Sequence, residues 1–480
     1  MRWKTTVVLL VTTVAIGVYV SQVELKRPTQ ERQVQLQRQV LQIPSDQATA
    51  LMVKFPEAPV TLARTHDIWR LTAPLSARAE NTLVRRILSA LDPLMAQGAL
   101  ESTPDKPLKL AEFGLEPPAG VLIVTTPTQT VELQFGAQTV IGKSYYVKRG
   151  DAATVFIIPS ELYDALHQSI ELYRSHELLD VNTASVNTLT VASATSSYTL
   201  TKHDQTWQLT APFADAADSA MVSTLLSRVR QLYIERFISD SPQSAQFSEW
   251  GLDAPAPFAK ITIGFSESDH PPIELLVGNP TSGSAAHCYA KRSDEPSVYS
   301  VAKTDIQELL KDPQELRSHT VFEIFANEVT KLRLTSPQQT WTVEFKDGKW
   351  VTANDSAALE ASKVEAFVWR LRDTKLTRVA EDHPKNLKSY GLEPAHDTIE
   401  VWVKTSADPK RLSVGSVVPQ QTTRYGLIAG RPAVVELPET MTAILTTTLD
   451  SFKTAPAAAS PTTSPPASPP TPSSAPASAN

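Results

Sequence analysis

The stretch Ile68-Trp69-Arg70-Leu71-Thr72-Ala73-Pro74 returns almost unchanged as Thr206-Trp207-Gln208-Leu209-Thr210-Ala211-Pro212. A shortened copy, Lys349-Trp350-Val351-Thr352-Ala353, follows further along the chain. The three tryptophans are separated by 138 and 143 residues. A motif that recurs at a nearly fixed interval indicates a repeated structural unit, and it is the strongest signal in this sequence.

More motifs follow each tryptophan in the same order. The first is a run of apolar residues at helical spacing, such as Val222, Leu225, Leu226, Val229 and Leu232 in the second copy. An aromatic-Gly-Leu-acidic phrase that ends in proline comes next, and a tyrosine ahead of an apolar strand comes last. The phrases are Phe113-Gly114-Leu115-Glu116-Pro117, Trp250-Gly251-Leu252-Asp253-Ala254-Pro255 and Tyr390-Gly391-Leu392-Glu393-Pro394, and the tyrosines are Tyr146, Tyr289 and Tyr425.

The ordered motifs predict an α+β protein of three tandem repeats. Each repeat reads β-β-α-β-β-β-β-α, which favours a mainly antiparallel sheet with helices packed on it. We place the repeats at residues 43–178, 179–320 and 321–453, and each is long enough for a core of its own. The glycine of the aromatic-Gly-Leu phrase predicts a turn with positive φ.

Residues 1–23 have the features of an N-terminal transmembrane anchor. Two basic residues precede the 19 uncharged residues 5–23, whose helical length of about 28 Å is close to the hydrocarbon thickness of a bilayer. A cleaved signal peptide is the alternative, with Ala15-Ile16-Gly17 as its only small-x-small site. A slight excess of positive charge before the span favours a single-pass protein of the bacterial cytoplasmic membrane with an extracytoplasmic body.

The segments on either side of the repeats differ in composition from them. Residues 24–42 are rich in glutamine and form a predicted stem. Residues 454–480 consist almost entirely of Pro, Ala, Ser and Thr. Such a tail cannot bury enough apolar surface to fold, so we expect it to be disordered.

Charge and cysteine content exclude several classes of function. The net charge is −6 at pH 7 and no long basic run occurs, so nucleic acid is not an expected partner. The single cysteine, Cys288, excludes an internal disulfide framework and a cysteine-based metal cluster. The histidines lack metal-ligand spacing, and the sequence has no nucleophile elbow or phosphate-binding glycine loop. We therefore predict no cofactor, no metal and no catalytic residue.

The best candidate for binding is the strand that carries the repeated tyrosine in the first two copies. It reads Tyr146-Val147-Lys148-Arg149 and Tyr289-Ala290-Lys291-Arg292. On a strand the tyrosine and the lysine share one face, and the arginine lies on the other. An aromatic-plus-cation face is suited to an acidic peptide, a lipid headgroup or a glycan. The competing interpretation is a solvated sheet face on which the tyrosine covers the core.

Over residues 43–453 the motifs resemble the bacterial domain-of-unknown-function 4340 family. The Trp with Leu-x-x-Pro, the aromatic-Gly-Leu-acidic-Pro phrase, the Phe/Val-Gly turn and the Tyr-x-x-Lys strand occur in the family's order in copies one and two. The third copy departs, because Thr352-Ala353 lacks the proline and Arg424-Tyr425-Gly426 lacks the Lys-Arg pair. The resemblance implies a membrane-anchored accessory protein of ABC-type transporters, and it implies no enzymatic activity.

Two hypotheses of different classes follow for the function. The leading one is a non-catalytic accessory or scaffold protein, anchored in the cytoplasmic membrane, with permease subunits of an ABC-type transporter as partners. The alternative is an envelope module that binds a glycan or a lipid through the Tyr-x-Lys faces. An enzyme ranks third, because the repeated acids Glu116, Asp253 and Glu393 fall one to a repeat. Acid–base catalysis needs a carboxylate pair within about 10 Å.

Overall fold

The computed structural model describes residues 38–453 apart from 57–58, 66–67, 141, 151, 254–257, 267–270 and 355–356, together with the isolated residues Trp3 and Thr13. The predicted anchor apart from Trp3 and Thr13, residues 24–37 of the predicted stem and the predicted disordered tail lie outside these residues, whereas the end of the stem forms strand β1 (Gln39–Leu41). In the part of the chain that is described, no helix is both long and apolar enough to cross a membrane.

Repeat 1 folds around one antiparallel sheet. Its elements are β1 (Gln39–Leu41), β2 (Ala50–Lys54), β3 (Val60–Thr65), β4 (Ile68–Ala73), β5 (Ala77–Arg78), α1 (Asn81–Ala90), β6 (Leu94–Met95), β7 (Gly98–Glu101), β8 (Gly120–Thr125), β9 (Thr130–Gln138), β10 (Ser144–Arg149), β11 (Thr154–Pro159), α2 (Ser160–Leu166) and α3 (Ile170–Tyr173). The nine-stranded sheet has the order β5-β4-β3-β2-β8-β9-β10-β11-β7, and β1 pairs with β6 separately.

Repeat 2 has the same succession of elements. They are β12 (Val186–Ala192), β13 (Ser197–His203), β14 (Thr206–Ala211), β15 (Asp215–Ala216), α4 (Ser219–Gln231), β16 (Arg236–Ser239), α5 (Ser244–Glu249), β17 (Ala259–Phe265), β18 (Ile273–Thr281), β19 (Ser284–Arg292), β20 (Val298–Ala302) and α6 (Lys303–Gln307). The order of its nine-stranded sheet is β15-β14-β13-β12-β17-β18-β19-β20-β16.

Repeat 3 completes the series with an eight-stranded antiparallel sheet. Its elements are β21 (Val329–Thr335), β22 (Thr340–Lys346), β23 (Lys349–Thr352), α7 (Ala361–Asp373), β24 (Arg378–Glu381), β25 (Asp397–Val403), β26 (Lys410–Val417), β27 (Arg424–Ile428), β28 (Val434–Leu437) and α8 (Met441–Leu445). The order is β23-β22-β21-β25-β26-β27-β28-β24.

The three sheets share one topology, which confirms the predicted α+β repeat. In each sheet, the last strand before the aromatic-Gly-Leu phrase forms one edge. These edge strands are β7, which pairs with β11, β16, which pairs with β20, and β24, which pairs with β28. The structure has more strands than the predicted β-β-α-β-β-β-β-α order. One additional strand comes ahead of each helix, since β2–β4, β12–β14 and β21–β23 stand where two strands were predicted, and others, such as β5, β15 and β16, are only two to four residues long. Strands this short carry too little alternation to be recognised from sequence.

The principal helices bury the apolar faces that the sequence predicts. Val84, Ile87 and Leu88 of α1 are buried, and so are Val364 and Phe367 of α7. Each such side chain contributes about 1.5–3 kcal/mol when it leaves water. The helices therefore hold the sheets through their cores.

Each aromatic-Gly-Leu phrase folds as the predicted left-handed turn. Gly114, Gly251 and Gly391 have φ values of 66°, 69° and 65°. A second glycine on the neighbouring strand lies against the carbonyl oxygen of the aromatic residue, so close that a Cβ atom would overlap it. The close pairs are Gly136 with Phe113, Gly278 with Trp250 and Gly415 with Tyr390.

The chain divides into two compact units, and the division does not follow the repeats. Unit 1 consists of Met1–Asn182, Arg228–Pro255 and Leu276–Ile306, and unit 2 of Thr183–Ser227, Ala256–Leu275 and Gln307–Asn480. One hydrophobic core consists of residues of repeat 1 together with Val40 and Leu41 of the predicted stem, and another lies wholly within repeat 3.

Candidate functional site

The three repeated tyrosines pack on the aromatic-Gly-Leu phrase of their own repeat. The ring pairs are Phe113 with Tyr146 at 4.9 Å, Trp250 with Tyr289 at 5.3 Å and Tyr390 with Tyr425 at 4.9 Å between centroids. Such pairs stabilise a fold by about 0.5–1.5 kcal/mol beyond the area they bury. The tyrosine of the predicted binding strand therefore has a structural task in every repeat.

The lysines that follow these tyrosines donate to turn carbonyls. Lys148 Nζ donates to the carbonyl oxygen of Gly150. Lys291 Nζ donates to the carbonyl oxygens of Arg292 and Glu295 at 2.8 and 3.0 Å. Burial lowers the pKa of Lys291, and nearby carboxylates work against that shift. Both ammonium groups are thus held by their own loops.

The two arginines of the predicted face lie in different surroundings. Arg149 is exposed, whereas Arg292 is buried. The strands β10 and β19 therefore do not present one common set of free aromatic and cationic groups. A binding role for Tyr146, Lys148, Arg149, Tyr289, Lys291 and Arg292 stays a prediction.

Repeat 1 meets repeat 2 around a buried carboxylate, Glu295, in the loop between β19 and β20. Arg78 of β5 donates from Nε to Glu295 Oε1 at 2.7 Å and from Nη2 to the Leu178 carbonyl oxygen at 3.2 Å. Tyr299 Oη donates to Glu295 Oε2 at 2.6 Å. Arg292 Nε lies 3.8 Å from the same oxygen, and its Nη1 donates to Leu178 at 2.8 Å. These residues of unit 1 form what we call the first junction.

Burial and neighbouring charges shift the pKa values of Asp294 and Tyr299 in this cluster. Arg292 Nη2 lies 2.6 Å from Asp294 Oδ2. Burial works to raise the pKa of Asp294, but the hydrogen bond and charge of Arg292 outweigh it, so the pKa lies below its usual value. Burial and then Glu295 raise the pKa of the Tyr299 hydroxyl. The hydroxyl therefore remains a proton donor to the carboxylate.

Repeat 2 meets repeat 3 around a second carboxylate, Asp215 of β15, whose side chain is fully buried. Arg431, in the loop between β27 and β28, donates from Nε and Nη2 to its two oxygens at 2.7 and 2.9 Å. Arg317 Nη1 donates to Asp215 Oδ2 at 3.1 Å. Arg431 Nη1 donates to the Ser318 carbonyl oxygen at 3.0 Å. This second junction belongs to unit 2.

Both junctions also share a set of equivalent contacts made by an Arg-Ser-His motif. Its arginine pairs with an aspartate of the next repeat, and its histidine carbonyl oxygen accepts a backbone N–H from that repeat at 2.8 Å. The contacts are Arg174 with Asp240 and His176 with Ile234 at the first junction, and Arg317 with Asp382 and His319 with Leu376 at the second. The motif therefore marks the places where another repeat follows.

The central groups of the junctions are not among the residues predicted from sequence. Asp215, Glu295 and Arg431 belong to none of the repeated motifs, because the other copies have different residues at their positions. The available signal was the Arg-Ser-His motif, which occurs at the ends of repeats 1 and 2 and is replaced by Lys453-Thr454-Ala455 at the end of repeat 3.

Unit 2 also contains a cavity of about 460 Å³ beside the second junction. A volume of this size is typical of small-molecule sites. Polar side chains supply much of its lining, together with one indole ring. Residues around it include Trp207, Ser318, Thr405, Ser406, Lys410 and Arg431.

Trp207 differs from the other two repeated tryptophans in its surroundings. Trp69 is 7% exposed and Trp350 is 3% exposed, whereas the ring of Trp207 is only partly buried and lines the cavity. The tryptophan at this repeat position is thus buried in the core in repeats 1 and 3, whereas in repeat 2 it lines the cavity.

Cys288 and the acids show no arrangement for metal chemistry in the described part of the chain. Cys288 is buried on β19, and burial raises the pKa of its thiol, although Lys303 acts in the opposite direction. Among the residues that the structure describes, no group of three or more His, Cys, Asp or Glu could hold a metal ion.

A family model agrees with the repeat structure. The model described as "Domain of unknown function (DUF4340)" matches residues 69–255, 207–362 and 350–457. Each match begins at one of the three repeated tryptophans. No curated protein matches the chain.

Two solved structures align over most of the chain with very low similarity. One is a DNA polymerase sliding clamp from Pseudomonas aeruginosa with ligand, at 10% identity and a TM-score of 0.16, covering 85% of this chain and 95% of that one. The other is a sliding clamp from the same organism bound to griselimycin, at 9% identity and a TM-score of 0.15, covering 82% and 92%. Scores this low carry no structural or functional argument.

Proposed function

We propose that this chain, which belongs to the DUF4340 family, is a non-catalytic accessory or scaffold protein. It works at the outer face of the cytoplasmic membrane, held there by residues 1–23, and its partners are subunits of an ABC-type transporter. The uncharged stretch 5–23 and the resemblance to transporter-associated proteins support the location and the partner.

The scaffold role is supported by the buried charged residues, because they form ion pairs between the repeats. Arg78, Arg317 and Arg431 each bind a carboxylate of the adjoining repeat. Bonds of this kind join the repeats of an assembly, and repeat proteins use the surfaces so formed to bind other proteins. The repeated body is therefore suited to presenting protein-binding surfaces.

Affinity purification of the full-length chain from its own membranes tests this proposal. After mild crosslinking and solubilisation, mass spectrometry is expected to recover an integral permease and its ATPase with the tagged chain. The matched control is the same tag on residues 1–42 fused to an unrelated soluble domain, which removes neighbours captured through the membrane alone. Recovery of the same proteins by the control, or of no transporter subunit by the full chain, contradicts the proposal.

The cavity in unit 2 favours a second candidate, an envelope module that binds a glycan. An indole ring offers a flat apolar surface to the CH groups of a sugar, and hydroxyl and ammonium side chains offer hydrogen bonds to its hydroxyls. Trp207, Thr405, Ser406 and Lys410 supply these groups around one volume.

Soluble fragments of purified cell-wall glycan are the probe for this second function. Trp207→Ala is expected to weaken their binding to the full chain about tenfold, as measured by calorimetry, because the stacking surface is lost. Trp369→Ala is the matched control, since Trp369 is an exposed tryptophan of unit 2 outside the cavity lining. Equal affinity of both variants, or binding only to anionic lipid vesicles, contradicts a glycan site here.

A further inference from the structure

The two junctions use the same loop position of the repeat and adjacent residues of the same short strand. The first is the loop position. The loops 149–154, 292–297 and 428–433 have equal lengths between paired strands, so Ala152, Glu295 and Arg431 are equivalent. The second is the strand position, in the short strand ahead of the repeat helix. It is occupied by Ala77-Arg78, Asp215-Ala216 and Ala357-Ala358.

The charges at these positions are reversed between the two junctions. At the first, an arginine in the strand position of repeat 1, Arg78, binds a carboxylate in the loop position, Glu295. At the second, a carboxylate in the strand position, Asp215, binds an arginine in the loop position, Arg431. In these two pairs, repeat 2 supplies the carboxylate, and repeats 1 and 3 supply the arginine.

The positions that meet no neighbouring repeat carry small uncharged residues. The loop position of repeat 1 is Ala152, and the strand position of repeat 3 is Ala357-Ala358. Charge thus occurs at these positions only where another repeat docks.

We propose that the reversed charges determine which repeat docks on which. The strand position of repeat 1 accepts only a loop that brings a carboxylate, and the strand position of repeat 2 accepts only a loop that brings an arginine. If the loop of repeat 3 met the strand of repeat 1, Arg431 would face Arg78. This inference is independent of the proposed function, because it concerns the docking surfaces of the repeats themselves.

The physical reason is the cost of an uncompensated charge in a buried contact. Arg78, Glu295 and Arg431 are each at most 9% exposed. Like charges brought together without water repel strongly, whereas a matched pair compensates its own loss of hydration. Unfavourable alternatives of this kind are a general means of specificity between similar surfaces.

A transplant of the second junction's charges onto the first tests the proposal in the full chain. Glu295→Arg alone, or Ala77→Asp with Arg78→Ala alone, is expected to lower the melting temperature of unit 1 by about 6 °C or more. The three substitutions together restore a matched pair and are expected to return it to within about 2 °C of the parent.

Two further variants keep the test decisive. The first is the triple variant Ala77→Asp, Arg78→Ala and Glu295→Ala. It carries the transplanted carboxylate without the arginine at position 295, so its melting temperature is not expected to recover. The second is the reciprocal exchange, Asp215→Ala, Ala216→Arg and Arg431→Glu together. It is expected to raise the melting temperature of unit 2 above that of Arg431→Glu alone. If both complete exchanges melt as low as their unmatched parents, charge matching does not determine docking and the proposal is overturned.

Discussion

Replacing Asp215 by alanine is expected to lower the free energy of unfolding of unit 2 by about 3–5 kcal/mol, because it leaves buried arginines without their carboxylate. The Asp215 side chain is fully buried between Arg317 and Arg431, whose side chains are 3% and 7% exposed. Arg317 keeps Asp382 as a partner, but Arg431 loses both of its carboxylate contacts. Hydrogen exchange of amides in residues 307–453 under increasing urea measures the loss in this unit.

A second substitution separates the unpaired charge from other effects of the alanine. Arg431→Met in the Asp215→Ala background removes the stranded guanidinium and fills a similar volume with apolar atoms. We expect the double variant to be more stable than Asp215→Ala alone, since replacing a whole buried pair is often neutral. A further loss in the double variant would show that Arg431 stabilises the junction through its carbonyl contacts rather than through Asp215.

Lys260→Ala is the control at the surface of the same unit. Lys260 and Glu274 form an ion pair with a distance of 2.8 Å between Nζ and Oε1, and their side chains are 42% and 40% exposed. Exposed pairs of this kind contribute about 0.2–1 kcal/mol. The difference in stability between Asp215→Ala and Lys260→Ala therefore measures what burial adds to an ion pair.

The features of the fold that could be predicted from sequence are those that every copy needs. The Trp motif, the positive-φ glycines and the tyrosine recur because the same backbone turn and the same packing recur. Gly114, Gly251 and Gly391 confirm this, with nearly equal φ values. Repetition is a sensitive signal for such residues, since three copies repeat one requirement.

The junction residues could not be predicted, because repetition hides whatever distinguishes the copies. Arg78 corresponds to Ala216 and Ala358, and Glu295 corresponds to Ala152 and Arg431. Their meaning depends on contacts across more than 200 residues of chain, as between Asp215 and Arg431. Predicting them would have required the docking geometry, which no local pattern encodes.

Trp207 is the opposite case, a repeated residue whose surroundings differ from those of its copies. Its motif matches that of Trp69 almost residue for residue, so the sequence predicts the same core role for both. The residues that line the cavity with it come from elsewhere in the chain, in the segment 405–411 and around Arg431. A repeated residue can therefore take a different task through its neighbours alone.

Gly136→Ala is expected to destabilise unit 1 by about 3 kcal/mol, because the new Cβ atom would overlap backbone that cannot move away. It would meet the Phe113 carbonyl oxygen and come within 3.0 Å of Leu115 Cγ. The turn that carries Phe113 is fixed by Gly114 at φ 66° and by the hydrogen bond from the Leu115 N–H to the Leu110 carbonyl oxygen at 3.0 Å. Urea unfolding followed by hydrogen exchange in residues 98–173 measures the change.

Gly98→Ala in the same unit is the matched control, since its Cβ would meet only Ile157 Cδ1 at 3.7 Å. That is an ordinary contact, and a change within about 0.5 kcal/mol is expected. The corresponding substitution in repeat 3, Gly415→Ala, should cost unit 2 about as much as Gly136→Ala costs unit 1, because the same overlap arises with Tyr390. A large loss of stability in one repeat alone would mean that the second glycine is needed for local packing in that repeat and is not a requirement of the shared turn.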